Sequence, residues 1–365
     1  MIWLLLTGFI LFIFLLLAID LGVFHRHAHQ VSVREALGWS AMWVALGLSF
    51  TVFIYFAYEG KWFGLGIETD LIDKKPNNGA NAAVKYLTGY VLEKTLSVDN
   101  IFVIAMIFGF FAVPQIYQHR VLYWGILGAL LMRGVMIIGG AALIRQFHWI
   151  LYIFGAFLLF TGVKMLFLKS EEMDPGQNWL IRWTRRLFPV TTRYHGNHFL
   201  VRAGSAASQE AEQPGMEVTP DPAVEAAKVG TLMLTPLALC LVIIEITDVI
   251  FAVDSIPAIF AITADWFLVF TSNVFAILGL RSLYFVLSGM IDAFRYLKLS
   301  LALVLILVGA KMLATDWLRK IAGEYFNFYL LATIVTILSA GVISSMIHDR
   351  IDLRNGKTKP PAPEK

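Results

Sequence analysis

Nine apolar runs of about 20 residues divide the chain, near 1–24, 38–60, 84–111, 119–143, 147–168, 231–262, 266–290, 297–315 and 324–347. A run of that length matches the hydrocarbon thickness of a bilayer. No water is present at that depth to satisfy backbone N–H and C=O groups, so such runs form helices. The sequence therefore reads as an all-α polytopic membrane protein with about nine transmembrane helices. Composition agrees, since 58% of the 365 residues are hydrophobic and 15% charged, whereas a soluble domain carries about 25% charge. The first run lacks a basic leader and a small-residue cleavage site, so it reads as a helix and not as a removable signal.

The connections sort by charge. One side collects Arg26, Arg34, Arg120, the basic residues from Lys169 to Lys228, Arg295, Lys298 and the tail from Arg350 to Lys365. That makes 17 basic residues against seven, namely Lys61, Lys74, Lys75, Lys85, Arg145, Arg319 and Lys320. The connection over 61–83 also holds Glu68, Asp70 and Asp73. Cytoplasmic loops carry the excess of Lys and Arg, so the N-terminus is expected outside and the C-terminus inside. The net charge of +3 follows from this sorting and argues for no nucleic-acid partner. Membrane lipids are the expected surroundings.

Two of the runs carry carboxylates. Residues 92–104 read Leu-Glu-Lys-Thr-Leu-Ser-Val-Asp-Asn-Ile-Phe-Val-Ile, and 247–259 read Thr-Asp-Val-Ile-Phe-Ala-Val-Asp-Ser-Ile-Pro-Ala-Ile. Each places two acids six apart, Glu93 with Asp99 and Asp248 with Asp254, at a cost of roughly 3 kcal/mol per charge at the centre of a membrane helix. Such residues mark ion pathways. Six residues turn a helix through about 240° net, so each helix is either surrounded by protein or locally unwound. Pro257, which removes a donor for the Val253 carbonyl, favours unwinding in the second copy. Glu245, three before Asp248, adds a fifth carboxylate.

The echo extends over three runs. Arg133 and Lys164 follow the first motif in Leu-Met-Arg133-Gly and Gly-Val-Lys164-Met-Leu, and Arg281 and Lys311 follow the second in Gly-Leu-Arg281-Ser and Gly-Ala-Lys311-Met-Leu. A unit with an odd number of spans inverts between copies, so two inverted three-helix repeats are expected, with a substrate site between them. The expected organisation is 1–83, two helices and an outer loop; 84–168, the first repeat; 169–230, a cytoplasmic loop; 231–315, the second repeat; and 316–365, a last helix and basic tail.

The candidate ligands Glu93, Asp99, Asn100, Glu245, Asp248, Asp254 and Ser255 are all oxygen donors. A hard set of this kind suits Mg²⁺, Ca²⁺ or Mn²⁺ over Zn²⁺ or Cu⁺. Arg133, Lys164, Arg281 and Lys311 would balance the carboxylates, either as structural ion pairs or by holding them until a cation displaces them. Asp20 and Asn273 are further candidates along the pathway. In the 169–230 loop, Asn178–Phe188 alternates Trp179, Trp183 and Leu187 with Arg182, Arg185 and Arg186. This spacing suits a helix lying on an anionic surface, or a basic retention signal. Ser205–Pro222 reads as a flexible linker, and His195 and His198 read as solvated. Cys240 is the single cysteine, which excludes a dithiol redox pair, and no haem, flavin or Gly-x-Gly-Asp protease motif is present.

The phrases Asp20-Leu-Gly-Val-Phe-His, Glu93-Lys-Thr-Leu-Ser-Val-Asp99-Asn-Ile-Phe, Glu245-Ile-Thr-Asp248-Val-Ile-Phe-Ala-Val-Asp254-Ser-Ile-Pro-Ala-Ile and Thr271-Ser-Asn-Val-Phe-Ala-Ile-Leu-Gly-Leu-Arg resemble the TerC family of integral membrane proteins, above all its Alx-type bacterial members. The resemblance runs from Asp20 to about Lys311. It implies a bacterial cytoplasmic-membrane protein of the LysE-like exporter superfamily. It also implies manganese(II) efflux, a link to tellurite resistance, and metal-binding roles for Glu93, Asp99, Glu245, Asp248 and Asp254. The stretch 203–222 looks longer than such members need. The expected activity is export of a divalent cation, Mn²⁺ foremost, with protons as a counter-ion, no permanently bound cofactor and no enzymatic reaction. The competing readings are a redox or tellurite-resistance protein without transport, and a scaffold with structural ion pairs.

Overall fold

The computed structural model describes residues 2–22, 33–147, 149–167, 188–205, 221–287, 296–314 and 325–354. The surface helix expected over 178–188, apart from its last residue, lies outside the described residues, as do residues 206–220 of the linker expected over Ser205–Pro222 and the tail beyond 354.

Helices lie on all nine apolar runs. They are α1 (Ile2–Gly22), α2 (Val33–Glu59), α3 (Gly79–Phe110), α4 (Gln115–Gln146), α5 (Ile150–Phe167), α7 (Pro236–Phe260), the pair α8 (Trp266–Ile277) and α9 (Leu280–Leu287), α10 (Leu297–Leu313) and α11 (Phe326–Arg354). Five of them, α2, α4, α5, α7 and α11, are long and apolar enough to cross a membrane singly, and the bent α8–α9 pair makes a sixth. Lys85, Glu93, Lys94 and Asp99 lower the hydropathy of the 32-residue α3, and α10 is short at 17 residues. The protein is an all-helical, multi-pass membrane protein. Its small strands are β1 (Thr69–Asp70) with β2 (Lys75–Pro76), and β3 (Leu200–Arg202) with β4 (Leu232–Leu234), both pairs antiparallel.

The connections assigned to one side by charge meet at one end of the molecule. Glu68 pairs with Arg145 at 2.7 Å. Asp70 accepts from Ala264 N–H, and Asp73 accepts from Asn327. We call this the loop end. At the opposite end, residues 188–205 and 221–235, with the short helix α6 (Pro222–Ala226), form a small lobe around Val201, Ala203 and Met233. The Tyr194 hydroxyl donates to the Phe111 carbonyl just past α3, and Thr235, which caps α7, donates to His198 and Phe199 carbonyls. The lobe thus holds the end of α3 and the start of α7, while the loop end holds the start of α3 and the end of α7. The two acidic helices are antiparallel.

Glycines set the closest helix contacts. A Cβ at Gly309 of α10 would come within 2.8 Å of Leu159 N and 2.9 Å of the Gly155 carbonyl on α5, a spacing typical of small-residue packing in membranes.

Two expectations are corrected. The helix carrying Pro257 is not unwound between Asp248 and Asp254; α7 continues to Phe260, because Pro257 falls in its last turn, where few ladder bonds remain to lose. The break lies in the seventh run, at Leu278–Gly279, where α8 and α9 bend by 43° and Gly279 adopts φ +82°. Gly279 meets the positive φ and the close approach of Trp43 that a Cβ would forbid. Finally, His195 is not solvated; it is 1% exposed, with Nε2 3.4 Å from Asp221, while His198 is exposed.

Candidate cation site

Arg133, midway along α4 and 1% exposed, joins the two acidic helices. Its Nη1 pairs with Glu93 on α3. Its Nη2 and Nε donate to Asp248 on α7 at 2.8 and 3.1 Å. Nη1 also meets Asn273 Oδ1 on α8 at 3.1 Å and Ser255 Oγ at 3.5 Å. Asn100 Nδ2 donates to Asp248 Oδ1 at 3.3 Å. A planar fork of five donors suits two carboxylates at once, and burial makes the mutual pairing necessary.

The antiparallel arrangement spreads the remaining acids along the membrane normal. Asp99 lies about 9 Å along α3 toward the lobe end from Glu93, and Asp254 about 9 Å along α7 toward the loop end from Asp248. Asp99 is half-buried and feels the charge of Lys298. Asp254 accepts from Thr161 on α5 at 3.4 Å and feels Lys164. Glu245 lies against α4 at Gly128, where any Cβ would collide with its carboxylate, and it feels Asp248. A cavity of about 40 Å³ opens beside Asp248, bounded also by Asn100, Thr247 and Arg281. Among the described residues, no three His, Cys, Asp or Glu side chains form a metal-holding group. The acids are therefore stepped along the membrane and not gathered into one cage.

The basic residues also divide. Of the four expected to balance the acids, Arg133 bonds to the central pair. Buried Lys311 donates to the Ala261 carbonyl and lies 5.7 Å over the Phe326 ring. Lys164 is exposed, and buried Arg281 borders the cavity. Lys311 lies near the end of α10 and so comes to the loop end, beside Ala261. Asp20 belongs to α1, and its side chain lies outside the described residues.

Two groups escaped the sequence reading. The first is Lys94, whose Nζ donates to the carbonyls of Ala276 and Leu278 at the α8–α9 break, at 3.1 and 3.2 Å. A basic residue directly after Glu93 was the available signal. The second is a network at the loop end. Lys85 Nζ pairs with Asp70 at 2.7 Å and Asp73 at 2.5 Å and donates to Asn77 at 2.6 Å. Thr263 donates to Asp70, and Tyr58 donates to Asp265. Burial opposes ionisation of both Asp70 and Asp73, but the Lys85 ammonium outweighs it. Both carboxyls are held below the usual carboxylate value, Asp73 at about 2.

Fold and site together define a class, a multi-pass integral membrane protein whose two acidic helices meet around a buried arginine. The model of the integral membrane protein TerC family matches residues 78–352, and the chain belongs to that family. It is 42% identical over 344 residues to an uncharacterized membrane protein of Myxococcus xanthus, covering 94% of this chain and 92% of that one. It is 43% identical over 312 residues to Alx of Salmonella typhi, covering 85% of each. Against Alx of Escherichia coli K12 it is 39% identical over 353 residues, covering 96% of each. Both Alx proteins are described as candidate membrane-bound redox modulators. No solved structure matches the chain.

Proposed function

We propose that the protein exports divalent metal cations, Mn²⁺ foremost, across the bacterial cytoplasmic membrane, with protons as the counter-ion. Its N-terminus would lie outside and its C-terminus inside. The observation that carries this reading is the Arg133 guanidinium held among Glu93, Asp248, Ser255 and Asn273. These oxygens already select a positive charge in a dry interior. A hard divalent ion arriving at Asp248 would compete for the same oxygens, and Arg133 would yield Glu93 and Asp248 in exchange. Asp99 and Asp254 would serve as entry and exit steps on opposite sides of the centre. Oxygen donors favour Mn²⁺, Mg²⁺ or Ca²⁺ alike; the resemblance in the motifs favours Mn²⁺. Flux of each ion into proteoliposomes, with and without a pH gradient, tests the reading, and no Mn²⁺ movement under any gradient would end it.

The description of the Alx relatives favours a second reading, redox modulation without transport. Cys240 is buried and is the single cysteine, so a thiol mechanism would need exchange with a second molecule. An unchanged metal-resistance phenotype in Cys240→Ser would remove that reading.

A further inference from the structure

We propose that Asp70 is the pin of a gate at the loop end, shut in this structure while the cation site faces the lobe; this rests on the transport reading above. The two sides of the Arg133 centre differ. The cavity beside Asp248 lies on the lobe side. Its walls on α3, Asn100 and Ile104, come after Glu93, and its walls on α4, from Leu122 to Ala129, come before Arg133. On the loop side the helices close on one another. Ile137 of α4, Ile259 and Phe260 of α7 and Val269 of α8 are fully buried in one apolar cluster, joined by Ile72 from the loop between β1 and β2. The Phe260 ring fills the space at Gly140 of α4, where a Cβ would come within 2.7 Å of it. A cation does not cross so dry a layer while it stays packed.

Beyond this plug lies a second cavity, of about 240 Å³, bounded by Glu68, Asp70, Arg145, Asp265 and Trp266. Asp70 stands between the plug and this outer mouth. Ala264, which donates its N–H to Asp70, belongs to both. A route from Asp254 to the mouth requires the turn between α7 and α8 to part from the start of α3, and Asp70 bonds to both. Its Oδ2 accepts from Lys85 Nζ of α3 at 2.7 Å and from Thr263 Oγ1 of the turn at 2.5 Å. Its Oδ1 accepts from the N–H groups of Ile72 at 2.9 Å and Ala264 at 3.1 Å. With both oxygens filled by these donors, Asp70 serves as a fastener and not as a cation ligand.

The charge on Asp70 strengthens each of these bonds, and burial makes each costly to lose. Tyr58 at the end of α2 and Asn327 at the start of α11 fasten the flanks, through Asp265 and Asp73. The loop so held is strained. Lys61, Phe63 and Lys74 have φ of +53°, +55° and +54°, where residues with a side chain are rarely found. Such a conformation persists only while its surroundings impose it, so breaking the bonds of Asp70 favours movement of the loop. Release of Thr263 and Ala264 would let the turn leave α3, part Phe260 from Gly140 and open the site to the mouth.

The test is the rate at which a water-soluble maleimide labels a cysteine placed in the plug, Val269→Cys in a Cys240→Ser background, in the purified full chain. With the gate intact the thiol should react slowly. Asp70→Asn should raise the rate about tenfold, since bonds to an ionised carboxylate are weakened. Thr263→Val, which leaves the Lys85 pair in place, should raise it by a similar factor. Cys240, buried in the lobe half of α7, reports on the fold; its own reactivity should stay low when Asp70→Asn or Thr263→Val is made in the otherwise unchanged chain. An unchanged rate at Val269→Cys in either variant overturns the proposal. An equal rise at Cys240 also overturns it, because it would mark general loosening. Labelling involves no Mn²⁺, so vesicles that move no Mn²⁺ would end the transport reading while labelling still decides the gate.

Discussion

Arg133 holds Asp248 with two nitrogens, Nη2 at 2.8 Å and Nε at 3.1 Å, while the same guanidinium pairs with Glu93 on the other acidic helix. One cation thus neutralises one acid from each motif. Removing it strands two buried carboxylates. Arg133→Met should lower folding stability by about 3–5 kcal/mol, and added Mn²⁺ should restore more of the thermal midpoint than it adds to the wild type. Thermal unfolding with and without Mn²⁺ checks this; a variant as stable as the wild type would mean that the arginine is not the counter-charge.

The loop-end network makes stability depend on acid. Asp70 and Asp73 have folded-state values below the ordinary carboxylate value, Asp73 at about 2. Their contribution is therefore complete above the unfolded value of about 3.9. It is lost as pH falls through that value toward about 2. The thermal midpoint should hold steady between about pH 7 and 5 and drop below about 4. Lys85→Met should be less stable at neutral pH and show a shallower acid fall, and equal slopes in the two proteins would count against the network.

Close packing of α5 on α10 depends on Gly309, where a Cβ would press on the backbone of Leu159 and Gly155. Gly309→Ala should cost about 1–3 kcal/mol. Gly139→Ala, at a helical glycine with open space around it, should leave the thermal midpoint nearly unchanged. Similar losses at both positions would show that the contact is not selective.

Gly128 gives room to the carboxylate of Glu245. If Glu245 serves the cation, Gly128→Ala should weaken Mn²⁺ binding on the order of tenfold through displacement of that carboxylate. Calorimetry on the purified variant reads this directly, and unchanged affinity would remove Glu245 from the site.

The membrane architecture is legible in the apolar runs because hydrocarbon thickness fixes helix length. The acidic motifs are legible because charge is rare at that depth. Which acid meets which base is not. Lys164 and Lys311 stand in matching phrases of the sequence, yet Lys311 is buried against the Ala261 carbonyl and Lys164 is exposed, while Arg133 takes the centre. The break at Gly279 is hidden for a related reason, since a glycine in an apolar run reads equally as a packing residue or a bend. Pro257 gave the stronger local signal and marks only a last turn. Lys94 went unnoticed because its partners, Ala276 and Leu278, lie on a helix far along the chain. His195 sits in a segment without periodicity, where only the folded lobe reveals its burial beside Asp221.

The central claim is that Asp248 and Glu93 exchange Arg133 for a divalent cation. The most direct measurement is Mn²⁺ uptake by proteoliposomes containing wild-type protein or Asp248→Asn, which keeps the shape of the side chain and removes its charge. Wild-type vesicles should accumulate Mn²⁺ when a pH gradient is imposed, and Asp248→Asn vesicles should not exceed empty ones. Equal uptake by the two proteins would contradict the account.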